Sequence, residues 1–380
     1  MAYKFLYIDD TQNEIEKGTI HGLQDGEEIK VDFMFPIDWE SQMKELIGKL
    51  PNYNGVILDL RLNDNAAPET GLFAHYRGSS IAQELRTLAK ENEFKNDFPI
   101  VLISANENME KSFDQTSLDL FDFLISKNTI GNDRSGISYA AFRDKLKWLA
   151  DGYNYLNQIG QAEKNINNII KKPDNVVLDF RFVEQFTKLI EKPVHVVARF
   201  LNKEVISRPT FLINEQYLSA RLGVDINSEE WKPFLEKYLS EAKYNGAFSN
   251  YYPRWWMSGL EKFWQSMDTE LSLRNTSAAK KIELLIAKTE FKNLKAIEKN
   301  EKNKSDCYWV VCKATGVPID TIDGFIIAGQ DDNYPWQESE YITLQEALRP
   351  TKHYGVSVSE KARLQKLKEL FEKNEQRIRQ

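Results

Sequence analysis

The sequence predicts an α/β protein. Its N-terminal part reads as a doubly wound, five-stranded parallel sheet, and a second, mainly helical α+β region follows. Three observations carry this. Lys4-Phe5-Leu6-Tyr7-Ile8-Asp9-Asp10 is an apolar run of strand length that ends in carboxylate. Gly55-Val56-Ile57-Leu58-Asp59-Leu60-Arg61-Leu62 is another. Such continuous runs, rather than alternating ones, mark parallel strands buried on both faces. Between and after them, strand-like runs alternate with segments of helical spacing, the signature of a doubly wound sheet.

Taken in order, residues 3–9 read as the first strand, and the polar stretch 10–25, with Gly18 and Gly22, as a loop. Ile29 to Phe35 alternates like a strand and stops at Pro36. Asp38–Leu50 places Trp39, Met43, Leu46 and Ile47 at helical spacing. Val56–Leu60 is a buried strand, followed by a long polar loop, residues 63–77. Ser79–Lys90 is a helix with Ile81, Leu85 and Leu88 on one face. Phe98–Ser104 is a buried strand, Asn108–Leu120 a weak helix, and Phe121–Ser126 a short strand ending at Lys127. Ala140–Leu156 carries Phe142, Leu146, Trp148 and Leu149 at helical spacing. These boundaries give an N-terminal domain over 1–150, a helical linker over 151–172 and a C-terminal domain over 173–380. In the last, prolines punctuate short segments; Glu229–Lys243, Ser277–Asn300 and Ser359–Arg377 read as helices and Cys307–Lys313 as a strand.

At 380 residues the chain is long enough for two domains. A net charge of -7 argues against broad nucleic-acid binding, which relies on a basic surface. No apolar run approaches the roughly 20 residues that span a bilayer, and the N-terminus lacks a small-residue cleavage site, so no membrane association and a cytoplasmic location are expected. Two cysteines, Cys307 and Cys312, are too few for a disulfide scaffold and fit a reducing compartment. Five residues apart on a strand, they lie on opposite faces, which disfavours a shared metal site.

In open α/β sheets, ligands gather outside the carboxyl ends of the strands. Asp9, Asp10 and Asp59 therefore converge, and three neighbouring carboxylates resist full ionisation unless a cation joins them. Mg²⁺, which takes oxygen ligands and keeps some of its waters, is the cation expected. Ser104 closes the fourth strand and Lys127 the fifth. The bland reading of the first pair is a polar strand end; five correctly typed residues in order, at the ends of four strands, outweigh it.

This pattern resembles the receiver domain of bacterial response regulators, the CheY-like family with its flavodoxin-like fold, over about residues 1–150. Gly78-Ser79-Ser80-Ile81-Ala82-Gln83-Glu84-Leu85-Arg86 is also similar to the family's glycine followed by a helix ending in Leu-Arg. The resemblance implies that Asp9, Asp10 and Asp59 hold Mg²⁺, and that Asp59 accepts a phosphoryl group from a phosphohistidine on a sensor histidine kinase. It implies that Ser104 and Lys127 contact the phosphoryl oxygens. Such a chain is a phosphoacceptor that dephosphorylates itself rather than a turnover enzyme. The chemistry accords with the residue types: a carboxylate nucleophile, a metal that offsets charge on the transferring group, a compact lysine charge and a hydroxyl donor.

Three departures from the family pattern stand out. The loop between Asp59 and Gly78 is about ten residues longer than usual and lies where a lid would. Asn128 stands where the family has proline. Leu124 occupies the place of the switch aromatic, and Phe123, one residue earlier, is the switch candidate beside Ser104.

The C-terminal half resembles no known output domain. Its expected partner is a downstream protein, or a second copy of the chain as a homodimer. Three rivals stand beside a receiver that controls this half, one of them a receiver kept as a folded scaffold that no longer turns over phosphate. Another is a phosphate-buffering or phage-defence signalling module acting by protein contact. The third is an enzyme whose C-terminal active site the receiver gates. Tyr251-Tyr252-Pro253-Arg254-Trp255-Trp256 has the composition of a base-stacking surface, but such a cluster is more often core or partner surface. The lysines of 277–300 read as a solvated helix face, and Asp320, Asp323, Asp331 and Asp332 as loop solvation, since their spacing does not fit an EF-hand.

Overall fold

The computed structural model describes residues 2–68, 71–105, 118–131, 137–160, 163–300, 303–349 and 354–379. The chain forms two compact units. The first comprises Met1–Pro173 with Glu184–Leu201 and Asn245–Tyr252, and the second comprises Asp174–Val183, Asn202–Tyr244 and Pro253–Gln380.

The first unit is built on strands β1 (Tyr3–Ile8), β2 (Ile29–Met34), β3 (Gly55–Asp59), β4 (Ile100–Ser104) and β5 (Phe123–Ser126). They form one sheet in the order β2-β1-β3-β4-β5, and every pairing is parallel. This is the flavodoxin-like order, whose switch point lies between β1 and β3. β3 and β4 are buried along their whole length, as their unbroken apolar runs require.

Helices α1 (Glu14–Leu23), α2 (Trp39–Lys49), α3 (Gly78–Lys90) and α4 (Tyr139–Gln158) belong to the same unit. Asp38 caps α2 by accepting from the Ser41 amide, and Ser138 caps α4 through the Ala141 amide. α3 buries Ile81, Ala82 and Leu85 against the core that includes Leu58, Ile100 and Leu102. Each such aliphatic side chain contributes about 1.5–3 kcal/mol of burial. α1 corrects the expected loop over 10–25. Gly18 and Gly22 sit inside it, and Gly22 faces the Tyr139 ring so closely that a β-carbon would stand 2.4 Å from it. Close packing, not a turn, accounts for that glycine. The expected helix over 108–120 falls mostly outside the described residues.

Two later segments complete this unit. A helix over Val194–Phe200 brings His195 onto Asp97 and Arg199 onto the Asp119 carbonyl. In the 245–252 segment, the Phe248 carbonyl accepts from the Trp148 indole at 2.7 Å.

Among the described residues the second unit mixes helices, the longest being Lys361–Arg379, with three two-stranded sheets. Its core gathers Trp231, Phe234, Trp264, Tyr308, Val310 and Phe325. Trp255 and Trp256 are buried on a strand over Arg254–Trp256, so this part of the aromatic cluster is core rather than a stacking surface. The helices over Trp231–Tyr238 and Ala278–Lys288 are shorter than their expected spans, and the strand around the cysteines shrinks to Val310–Val311. Both cysteines are free thiols. Among the described residues no helix is long and apolar enough to cross a membrane.

Candidate functional site

Parallel strands bring their carboxyl ends to one rim, and four of the predicted site residues stand on it. Asp9 follows β1, Asp59 ends β3, Ser104 ends β4 and Lys127 follows β5. Register aligns them: Ile8 pairs with Leu58, Asp59 with Ile103, and Ser104 with Ser126. Asp9 and Asp59 thus flank the switch point, where the chain diverges to opposite sides and leaves a crevice.

Lys127 joins the two carboxylates. Its Nζ lies 2.6 Å from Asp9 Oδ2 and 2.9 Å from Asp59 Oδ1. All three side chains are largely withdrawn from water, with exposures of 12%, 1% and 9% for Lys127, Asp9 and Asp59. Asp9 Oδ2 also accepts from the Tyr7 hydroxyl at 2.7 Å, and Asp9 Oδ1 from the Thr11 amide at 2.9 Å. Asp59 Oδ2 accepts from the Arg61 amide at 2.6 Å. Tyr7 is a site residue that the sequence reading missed. Its signal was the period of two along β1, which puts Tyr7 and Asp9 on one face.

Burial dominates the electrostatics. It pushes the Asp59 carboxyl up to about 6 against the pull of Lys127, and the neighbouring Asp9 charge adds to the rise. Burial raises Asp9 as well, with Lys127 and the Tyr7 hydroxyl opposing it. For Lys127 burial works downward, but the two carboxylates outweigh it and hold the ammonium firmly protonated. Two desolvated carboxylates sharing one cation leave the cluster short of positive charge.

Asp10 takes a different part. Its Oδ2 accepts the amides of Asp64 and Asn65, each at 2.7 Å, and its Oδ1 accepts from the Thr11 hydroxyl at 3.1 Å. Asn65 Nδ2 donates to Thr11 Oγ at 2.9 Å. The long loop after β3 is therefore fastened to the acidic pair. Further along it, Leu72 and Phe73 are exposed. Gly78 closes the loop against the site. Its amide donates to the Leu60 carbonyl at 3.1 Å, and a β-carbon there would stand 2.1 Å from the Asp59 carbonyl oxygen. Only glycine allows α3 to begin so close to the strand end.

Ser104 is buried at the end of its strand. Phe123 lies on β5 with its ring 6.0 Å from that of Phe142, within cation–π reach of Lys145. Asn128, where the family has proline, donates its side-chain amide to the Ala105 carbonyl at 3.3 Å.

Solved structures similar to the N-terminal part include CheY-like receivers and response regulators. A CheY-like receiver from Methylobacillus flagellatus is 18% identical, covering 39% of this chain and 99% of its own, with a TM-score of 0.27. The phosphorylated cyanobacterial phytochrome response regulator RcpA is 17% identical, covering 40% and 95%, with a TM-score of 0.26. The complex of the P1 domain of CheA3 with CheY6 from R. sphaeroides gives 14% identity, coverage of 39% and 95%, and a TM-score of 0.25. No protein-family profile and no curated protein matches the sequence.

Among the described residues, no group of three or more His, Cys, Asp or Glu side chains is gathered as a metal cage. The chemistry of the donors nonetheless fits an oxygen-seeking cation. Asp9 and Asp59 are desolvated carboxylates with one ammonium between them, and Asp10 adjoins them on the loop side. A divalent ion would offset the burial that raises both carboxyls.

Proposed function

We propose that the first unit is a receiver that accepts a phosphoryl group on Asp59 from the phosphohistidine of a sensor histidine kinase. The observation that supports this most is the bridge of Lys127 to Asp9 and Asp59 at the switch point of a 2-1-3-4-5 parallel sheet. An Asp59 carboxylate oxygen attacks phosphorus. The phosphorus–nitrogen bond of the donor breaks and imidazole leaves, so an acyl phosphate replaces a phosphoramidate with no oxidant or reductant required. Asp9, Asp59 and Asp10 would hold Mg²⁺, which when bound offsets charge on the transferring group. Lys127, already directed at Asp59, follows the new charge onto a phosphoryl oxygen, and the Ser104 hydroxyl contributes a hydrogen bond. The added charge repositions Ser104, Lys127 and the neighbouring Phe123, and a downstream protein or the second unit reads the change.

Incubation with acetyl phosphate and Mg²⁺ tests this directly. Intact-mass analysis is expected to show one added phosphoryl group on the wild type and none on Asp59→Asn. No adduct on the wild type, or an undiminished one on the variant, ends the reading.

One observation favours a second reading. Asp10 is committed to the Asp64 and Asn65 amides, and Lys127 already serves as the cluster's cation. A receiver fold kept as a scaffold, with phosphotransfer lost, has this character. It predicts a stable fold and no adduct at any Mg²⁺ concentration.

A further inference from the structure

The second unit contains a cavity of about 440 Å³, within the range of small-molecule sites. In a chain of net charge -7, its ionised lining is unexpectedly basic: Arg208, Arg254 and Lys313 face a single carboxylate, Glu340. Lys313 pairs with Glu340, and Arg208 and Arg254 bring two further positive groups to the lining. Both arginines are held in place. Arg254 donates from Nε to the Ile206 carbonyl and from Nη1 to the Pro253 carbonyl, each at 3.0 Å, while Arg208 Nη1 donates to Asn333 Oδ1 at 2.6 Å. Their charges are therefore largely pre-organised.

Asn214 and Gln216, at the start of an eight-residue helix over Glu215–Leu222, also line the cavity and add polar groups to its wall. The rest of the wall includes the buried Tyr217 and Val311, which give it an apolar side. A bare inorganic anion leaves most of 440 Å³ unfilled, whereas a phosphate carrying a ring-sized group matches both the charge and the apolar side.

We propose that this cavity binds a phosphorylated small molecule of mononucleotide size, with the phosphate held by Arg208, Arg254 and Lys313. All of its lining residues belong to the second unit, so the proposal stands apart from the phosphoacceptor reading of the first.

The test uses the full chain in magnesium-free buffer with AMP, inorganic phosphate and adenosine, followed by calorimetry. AMP is expected to bind saturably, phosphate to displace it and adenosine to give no signal. Arg208→Gln and Lys313→Gln should each weaken AMP by about tenfold, since each removes one charge-assisted contact. Arg254 is left intact because it holds two main-chain carbonyls. A measurement on the unmodified protein guards against misfolded variants: phosphate should protect the exposed Lys313 from acetylation, read by peptide mass. Three results overturn the proposal. They are no saturable uptake of phosphate or AMP up to about 10 mM, unchanged affinity in folded variants, or Lys313 labelling that phosphate does not slow.

Discussion

At the carboxyl rim of the sheet Lys127 stands between Asp9 and Asp59; at the opposite end Arg86 stands between Asp97 and Asp122. Each is a largely buried cation with two aspartates, yet the settings diverge. Arg86 reaches Asp97 at 3.1 Å and Asp122 at 2.8 Å, and also donates to the Leu120 and Phe98 carbonyls. Tyr153 donates to Asp122 and the His195 amide to Asp97, while the Asp97 main-chain amide donates to Asn157 Oδ1. Burial alone would raise Asp97, but His195 and Arg86 outweigh it and hold the carboxyl below its ordinary 3.8. At the rim burial wins, and Asp59 rises. Five guanidinium donors can satisfy a network in which three ammonium donors leave a deficit. The lower cluster is built to persist; the upper one is open to a change of partner.

The largest effect expected from breaking this contrast is at Arg86. Arg86→Leu strands two buried carboxylates and should lower stability by about 3–5 kcal/mol, read as the shift in a urea unfolding curve. Asp59→Asn should do the reverse. It removes a desolvated charge, and in magnesium-free buffer it should raise stability by about 1–3 kcal/mol while abolishing the phosphoryl adduct. An Asp59→Asn protein less stable than wild type would erase the distinction between the two clusters.

The pH dependence sharpens the comparison, because the signs are opposed. Asp59 titrates higher in the folded chain than in the unfolded one. The stability it adds is complete below the ordinary 3.8 and is lost as pH rises through about 6. The advantage of Asp59→Asn over wild type should therefore open across that interval. Asp97 titrates lower when folded. Its contribution is complete above 3.8 and is lost as pH falls through its depressed value. The deficit of Asp97→Asn should shrink on the acid side, and unfolding midpoints measured across pH check both. The smallest effect belongs to Arg61, whose pair with Asp64 is solvent-exposed. Arg61→Ala should change stability by about 0.5 kcal/mol or less by the same urea assay.

The sheet was legible because continuous apolar runs and parallel strands are one physical fact. The rim residues followed from it, since a strand that ends in a polar residue delivers that residue to the edge. Asp9, Asp59 and Lys127 meet at that edge. Asp10 was less legible: adjacency to Asp9 says nothing about which backbone amides compete for its oxygens. The lower network could not be read at all. Arg86 sits in an ordinary amphipathic helix, and Asp97, Asp122 and His195 are up to 98 residues apart in the chain. No local pattern records such a meeting. α1 was misread because two glycines resembled loop punctuation, whereas Gly22 answers to the ring of Tyr139. In the second unit most segments are short and give little periodicity to read, and its core gathers aliphatic and aromatic side chains from many of them.

The approach of Gly78 to the Asp59 carbonyl reaches beyond that contact. α3 is a rod of thirteen residues, about 20 Å long, butted against the end of β3 at its first residue and moored through Arg86 one turn before its last. It has no slack at either terminus. Any event that thickens the space beside Asp59, whether a new side chain at 78 or a bulkier group on Asp59 itself, must tilt this strut or drag on its anchorage at the far side of the sheet.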